Sequence, residues 1–252
     1  TTPGAVLVLM LHEIWGFWPR LNKNRFVQWM HRRDLRELVG IADAAFTSTA
    51  SQAAHLAPAG TVELLPVGSN IRVQAPLDGE REQGTAVVFG LPLARVRALR
   101  LIQQDLRALS ARGVLRKIVT IGKRTTNPDE KALLAGLRLR DSFEQTGEIP
   151  EAEVSRLLAR ATFGISAQDE LSMTKSGTFM AYAAHGLNIL SPFADSLGAE
   201  PLCWLTNPAD AFHGDLRANA EHLRRWQERT ASWPQIAARF AAALGLDESA
   251  PR

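Results

Sequence analysis

The chain has 252 residues, 46% of them hydrophobic and 22% charged, with 29 basic against 26 acidic side chains and a net charge of +3. These are the proportions of an ordinary globular protein, long enough for one large domain or two modest ones, and so mild a charge does not by itself point to a nucleic acid. A single cysteine, Cys203, excludes internal disulfides and a cysteine-based zinc site and suits a cytoplasmic setting; no apolar run reaches the roughly 18 residues that span a bilayer.

Residues 5–11, AVLVLML, read as a strand buried on both faces, the parallel-sheet type. His12, Glu13 and Trp15 follow at its carboxyl end. Arg20, Lys23, Arg25, Arg32 and Arg33 then crowd together with Trp15, Phe17, Trp18 and Trp29. Three readings of this segment stand side by side. It is the core and rim of an ordinary helix, a platform for a sugar or lipid-linked acceptor, or a nucleic-acid surface, the last without any recognisable motif. Residues 24–41 are helical by period, with Phe26, Trp29, Met30, Leu35, Leu38 and Val39 as expected core positions. A strand at 44–47, a helix at 51–56 and a strand at 62–65 complete a βαβαβ run.

Residues 68–84 lose all periodicity and carry glycine, proline and charge, as a linker does. A second alternating series follows: strand 86–91, helix 94–111, strand 117–121, helix 129–137, strand 143–146 and helix 151–159. Residues 201–205 read as the last strand. Residues 216–244 hold two helices interrupted near Trp233-Pro234.

The most informative stretch is 162–192. A buried strand at 163–165 runs into the polar Gln168-Asp169-Glu170, then a small-faced helix with Ala181, Ala183 and Ala184, then Gly186 and a strand at 187–190. Lys175, Ser176, Gly177 and Thr178 fall at the start of the helix, where free N–H groups and the dipole favour an anion. A capped helix with an exposed lysine accounts for the same tetrapeptide. It is not a Walker A loop, because the upstream glycines are absent. An acidic loop just outside the carboxyl end of a buried strand is where open α/β sheets place ligands.

In order and spacing, Thr146-Gly147, residues 151–158 and 163–166, the acidic loop and residues 182–190 resemble the donor-binding half of retaining GT-B glycosyltransferases. Leu65-Pro66-Val67-Gly68 resembles that family's entry to its interdomain linker, and His12-Glu13 its "HD" signature. Val88-Phe89-Gly90 with Arg95 resembles a strand end of the family, except that Leu91 stands where an arginine is usual. The resemblance implies an α/β, GT-B-like fold of two Rossmann-like parallel-sheet domains. The N-terminal domain, residues 1–70, has fewer strands than the family's, being either abbreviated or preceded by further chain. A nucleotide-sugar domain spans 71–214 and C-terminal helices 215–252.

It further implies transfer of a sugar, with retention, from a nucleotide-diphosphate sugar to a glycan, lipid-linked or protein acceptor. No cofactor or metal is implied, and no specific nucleic-acid partner. Contact with the inner face of a membrane goes with the aromatic-basic segment. A helix N-terminus with cations can stabilise the leaving diphosphate without metal. By resemblance, Gly68, Arg95, Lys123 or Arg124, Gly147, Lys175, Ser176, Gly177 and Thr178 would hold the donor. His12 and Glu170 would serve the transferred sugar, and Glu13, Trp15, Arg20 and Arg25 the acceptor. The family's helix glutamate, five residues before the closing glycine, is here Ala181. That departure keeps open a non-catalytic sugar-nucleotide-binding subunit or scaffold, beside a GT-B-like sugar-nucleotide epimerase.

Overall fold

A computed structural model describes residues 5–14, 25–74, 76–77, 79–124, 128–212 and 216–246. Its strands fall into two separate sheets, one of three and one of five strands, and every named pairing is parallel. The chain divides into two compact units, Thr1–Gly68 with Thr230–Arg252, and Ser69–Arg229.

In the first unit β1 (Val8–Leu11), β2 (Ala44–Thr47) and β3 (Glu63–Leu64) lie in the order β1-β2-β3. Helix α1 (Arg25–Ile41) and helix α2 (Ala50–Leu56) connect them; the hydroxyl of Thr49 starts α2 by accepting from the Gln52 N–H at 3.2 Å. One cluster packs Ile14, Val39, Ala45 and Leu56 with Leu9, Leu11 and Leu35. A second packs Phe46, Leu65 and Ile236 with Val8 and Phe240. Two expectations are corrected here. Among the described residues strand β1 ends the three-stranded sheet, and it is half-buried, with Met10 38% exposed. In α1 Val39 is buried and Leu35 half-buried, whereas Phe26, Trp29, Met30 and Leu38 are exposed. Apolar period shows that a helix has a greasy stripe; it does not show which residues find a partner.

The second unit runs β4 (Glu82–Phe89), α3 (Pro92–Leu101), α4 (Gln103–Ala111), β5 (Lys117–Ile121), α5 (Pro128–Ala135), β6 (Phe143–Gly147), α6 (Glu151–Arg160), β7 (Ala161–Ile165), α7 (Gly177–Ala184), β8 (Asn188–Leu190) and α8 (Leu216–Ala231). The sheet order is β6-β5-β4-β7-β8. The chain therefore builds outward from β4 to one side, then crosses back to build on the other. The crevice beyond the carboxyl ends of β4 and β7 is the topological switch point, where such sheets bind ligands. Ala86, Val88, Leu99, Leu106, Ile118 and Phe163 form its core, and truncating one such side chain to alanine costs about 2–5 kcal/mol.

The helix expected over 94–111 is two helices, broken at Ile102 (φ −117°, ψ 24°). Residues 201–205 are not a strand: Leu202–Trp204 form a 3₁₀ turn, and only Thr206 reaches the sheet, through one bridge to Leu190. The helical break at 232–234 is as the sequence predicts, with Ser232 as N-cap and Pro234 in the first turn of α9 (Trp233–Ala243). The C-terminal helices do not form one piece. Helix α8 belongs almost wholly to the second unit, and α9 to the first.

Candidate functional site

At the carboxyl edge of the five-stranded sheet, the chain turns at a glycine after β4, after β5 and at the end of β6. Gly90 has φ +134°, Gly122 +119° and Gly147 +77°. Gly90 donates to the Ile121 carbonyl at 3.1 Å and Gly122 to the Gly147 carbonyl at 3.0 Å, so the three turns form one hydrogen-bonded rim. A Cβ on Gly122 would stand 2.5 Å from the Gly90 oxygen, which only glycine permits.

Arg95, expected at the donor phosphates, braces this rim instead. It is 2% exposed, and its guanidinium faces Glu130, which is fully buried. Nε donates to Glu130 Oε1 at 2.7 Å and Nη2 to Oε2 at 2.9 Å. Nη1 donates to the carbonyls of Gly90 (2.6 Å) and Ile121 (3.4 Å), and Nη2 also to that of Lys123 (3.0 Å). All five N–H groups are thus used, leaving none for a ligand. The reason is local: one turn into α3 the side chain reaches back under the strand ends and meets α5. Lys123 itself, just past β5, is exposed.

Beside the rim lies a cleft of about 400 Å³ between Gly90–Ala94 on one side and Ser166–Gln168, Ser176 and Thr178 on the other. Leu91 and Leu93, at 74% and 77% exposure, belong to its wall. Its lining holds no carboxylate, and its basic members are Arg95 and the exposed Arg97. Helix α7 begins here. Ser176 is its N-cap, the hydroxyl accepting from the Phe179 N–H at 3.2 Å and the carbonyl from the Met180 N–H at 3.0 Å. The N–H groups of Gly177 and Thr178 have no partner among the described residues. Two donors and the hydroxyls of Ser176 and Thr178 at a helix N-terminus make an anion-binding arrangement.

The other expected site residues are spread more widely. Lys175 is half-buried in the 3₁₀ turn Met173–Lys175 and does not line the cleft. Gly177 is a glycine because of Asn70: a Cβ would stand 3.0 Å from that of Asn70, whose N–H donates to the Gly177 carbonyl at 3.4 Å. Gly68 is one because of Trp233, whose ring lies 2.6 Å from where its Cβ would be. Glu170 is exposed in the turn after β7, where Asp169 Oδ1 accepts from the Ser172 hydroxyl at 2.5 Å. His12 and Glu13, in the first unit, are exposed past β1, and the His12 carbonyl accepts from Gln52 Nε2 at 3.1 Å. Arg25 is exposed at the start of α1. Trp15 and Arg20 lie outside the described residues.

Sequence reasoning missed the residues that hold α7 in place. Tyr182, the chain's only tyrosine, is buried against β7, and its hydroxyl accepts from the Phe89 N–H at 2.6 Å. Burial raises its phenol far above the ordinary value. Gly164 makes room for the ring, which lies 2.7 Å from where a Cβ would stand. A lone tyrosine on a small-residue helix, facing a strand glycine, was the available signal. At the other end of α7, His185 Nδ1 lies 2.8 Å from the Ala181 carbonyl and Nε2 lies 2.9 Å from Ser155 Oγ, which accepts from the Gln74 N–H at 2.9 Å. A neutral imidazole protonated on Nδ1 satisfies every member of that chain. Burial accordingly holds its pKa below the ordinary value. Ala181 is fully buried within α7.

No family model matches the sequence. No curated protein matches it either. Solved structures do. The chain is similar to sucrose-phosphate synthase from Thermosynechococcus elongatus (TM-score 0.58, 13% identity, 93% of this chain and 66% of that one). It is similar to α,α-trehalose 6-phosphate synthase from Burkholderia multivorans (0.59, 15%, 94% and 66%). It is similar also to TarM from S. aureus, solved with UDP and α-GlcNAc-glycerol (0.59, 8%, 85% and 46%). The chain thus spans between 46% and 66% of the length of these structures. Identities this low establish the fold: it is the GT-B fold of glycosyltransferases.

Proposed function

We propose that the cleft at the switch point receives the diphosphate of a nucleotide-activated sugar, and that the protein transfers that sugar to an acceptor with retention. The observation that carries this reading is the start of α7, where Ser176 and Thr178 line a cleft at the sheet's carboxyl edge and the N–H groups of Gly177 and Thr178 have no partner among the described residues. These groups would hold the phosphates of the leaving nucleotide, with Lys175 and Lys123 as cations and Gly147, which packs against Arg124, on the side of the base. Glu170 would accept hydrogen bonds from the transferred sugar, and His12 would serve the same step. Glu13, Trp15, Arg20 and Arg25 would serve a glycan, lipid-linked or protein acceptor. UDP bound in a fold neighbour supports the donor class.

A second reading, a binding subunit without transfer, is favoured by two residues. Leu91 puts an apolar side chain at the mouth of the cleft, and Arg95 is spent on Glu130. Calorimetry with a panel of nucleoside diphosphates tests the shared claim, and release of free nucleoside diphosphate from a sugar nucleotide separates the two readings. Lys175→Ala is expected to weaken binding by about one to two orders of magnitude, the loss of one charge-assisted contact. Unchanged affinity would mean that Lys175, which does not line the cleft, takes no part in holding the phosphates.

A further inference from the structure

Strands β4 and β7 pair as far as Val87 and Gly164, and there their ladder ends. Beyond that point the Gly90 N–H turns to β5, donating to the Ile121 carbonyl at 3.1 Å, so the Phe89 N–H faces the β7 side. Its acceptor is the Tyr182 hydroxyl at 2.6 Å, in place of a strand carbonyl. Tyr182 stands in the second turn of α7, and a helical side chain leans toward the N-terminus of its helix, so the phenol reaches back under the first turn. It is 1% exposed, yet it lines the cleft with Phe89, Gly90, Ser176 and Thr178. A phenol both accepts and donates. Holding α7 to β4 uses only the oxygen; the phenol proton has no acceptor among the described residues. Burial holds the group protonated far above its ordinary range, so the proton is there to be shared. A buried donor of this kind is satisfied when a ligand brings an oxygen to it.

We propose that Tyr182 is a ligand contact: from the floor of the crevice its phenol donates to an oxygen of the phosphate group bound at the start of α7. This contact rests on the nucleotide-diphosphate reading of the cleft and deepens it. Phosphate is the matching chemistry because the groups that converge there can all donate. They are the N–H groups of Gly177 and Thr178 and the hydroxyls of Ser176, Thr178 and Tyr182, and the lining holds no carboxylate. Arg95, which lines the same cleft, has its N–H groups taken by Glu130 and the rim carbonyls, so the donor left at this depth is the neutral phenol. A hydrogen bond from it to a charged oxygen is one of the stronger kind.

Tyr182 is the chain's only tyrosine, so protein made with tyrosine carbon-labelled at Cζ gives a single tyrosine resonance. The test follows that resonance in the full wild-type chain during titration with adenosine, guanosine and uridine diphosphates and with inorganic pyrophosphate, calorimetry reporting which of them bind. Each bound probe is expected to move the resonance toward the phenolate position. Pyrophosphate has no ring, so a shift with it owes nothing to a nucleobase lying over the tyrosine. Tyr182→Phe is expected to weaken the best probe at least about tenfold. It also leaves the Phe89 N–H without its acceptor and should lower the melting temperature, so circular dichroism checks that it is folded at the temperature of the titration. Should it not fold, the labelled wild type decides alone. A probe that binds while the resonance stays in place would overturn the contact and leave the donor reading standing, and so would a folded Tyr182→Phe with wild-type affinity. Failure of wild type to bind any of the four probes would overturn both.

Discussion

Arg95 shows how one residue can look like a ligand group and be a brace. In sequence it stands shortly after a strand end, where a phosphate-binding cation belongs, and nothing nearby names its partner. Glu130 lies 35 residues later, and only the packing of α3 on α5 brings the two within 2.7 Å. Removing one member of such a buried pair strands the other charge, so Glu130→Ala should lower unfolding free energy by about 3–5 kcal/mol in urea titration. Little or no loss would show that Arg95 finds water or another acceptor. Gly164→Ala tests a different contact. Its Cβ would overlap the Tyr182 ring, and a loss of about 1–3 kcal/mol is expected by thermal unfolding. Leu91 is the reverse case, an exposed residue whose replacement should add a function. Leu91→Arg places a cation at the mouth of the cleft and should tighten nucleoside diphosphate binding about tenfold, the low end of a charge-assisted hydrogen bond.

Helix α7 was legible at both ends because end signals are local. Ser176 caps it, and Gly186, with φ +64°, closes it. Its anchoring was not legible, since Ser155 comes from α6 and Gln74 from the segment before β4. That segment looked like a free linker, yet the Arg72 N–H also donates to Glu151 Oε1 at 2.7 Å, and Arg81 reaches the carbonyls of Ala161 and His185. The anchor carries a pH signature. Burial depresses the His185 pKa, so the unfolded chain takes up its proton at a higher pH than the folded one. Stability therefore falls as pH drops below about 6.5, by at most about 1.4 kcal/mol per pH unit from this group. His185→Gln should flatten the pH dependence of urea unfolding over that range, and an unchanged slope would mean that other groups set it.

At the scale of the whole chain, the two alternating series and the break near residue 68 were readable because strand and helix periods survive in the apolar pattern. The separate sheets follow from them. The burial of β1 and α1 was not readable, since Val8–Leu11 carry an unbroken apolar run yet are only partly covered, with Met10 38% exposed, and Phe26, Trp29 and Met30 have a core-like spacing yet are exposed. Nor was the end of the sheet, where residues 201–205 have strand-like composition but form a turn. Donor binding at the start of α7 is the claim on which the functional reading rests, and Thr178→Asp tests it most directly. A carboxylate in the first turn of a helix favours the dipole by about 0.3–1 kcal/mol, so the fold should be as stable as wild type or slightly more so. The same carboxylate occupies the anion position. Titration calorimetry should therefore show wild type binding a nucleoside diphosphate and Thr178→Asp binding it at least about tenfold more weakly, while thermal unfolding shows no loss. Equal affinity in the two proteins, or no nucleoside diphosphate bound by wild type, would contradict the account.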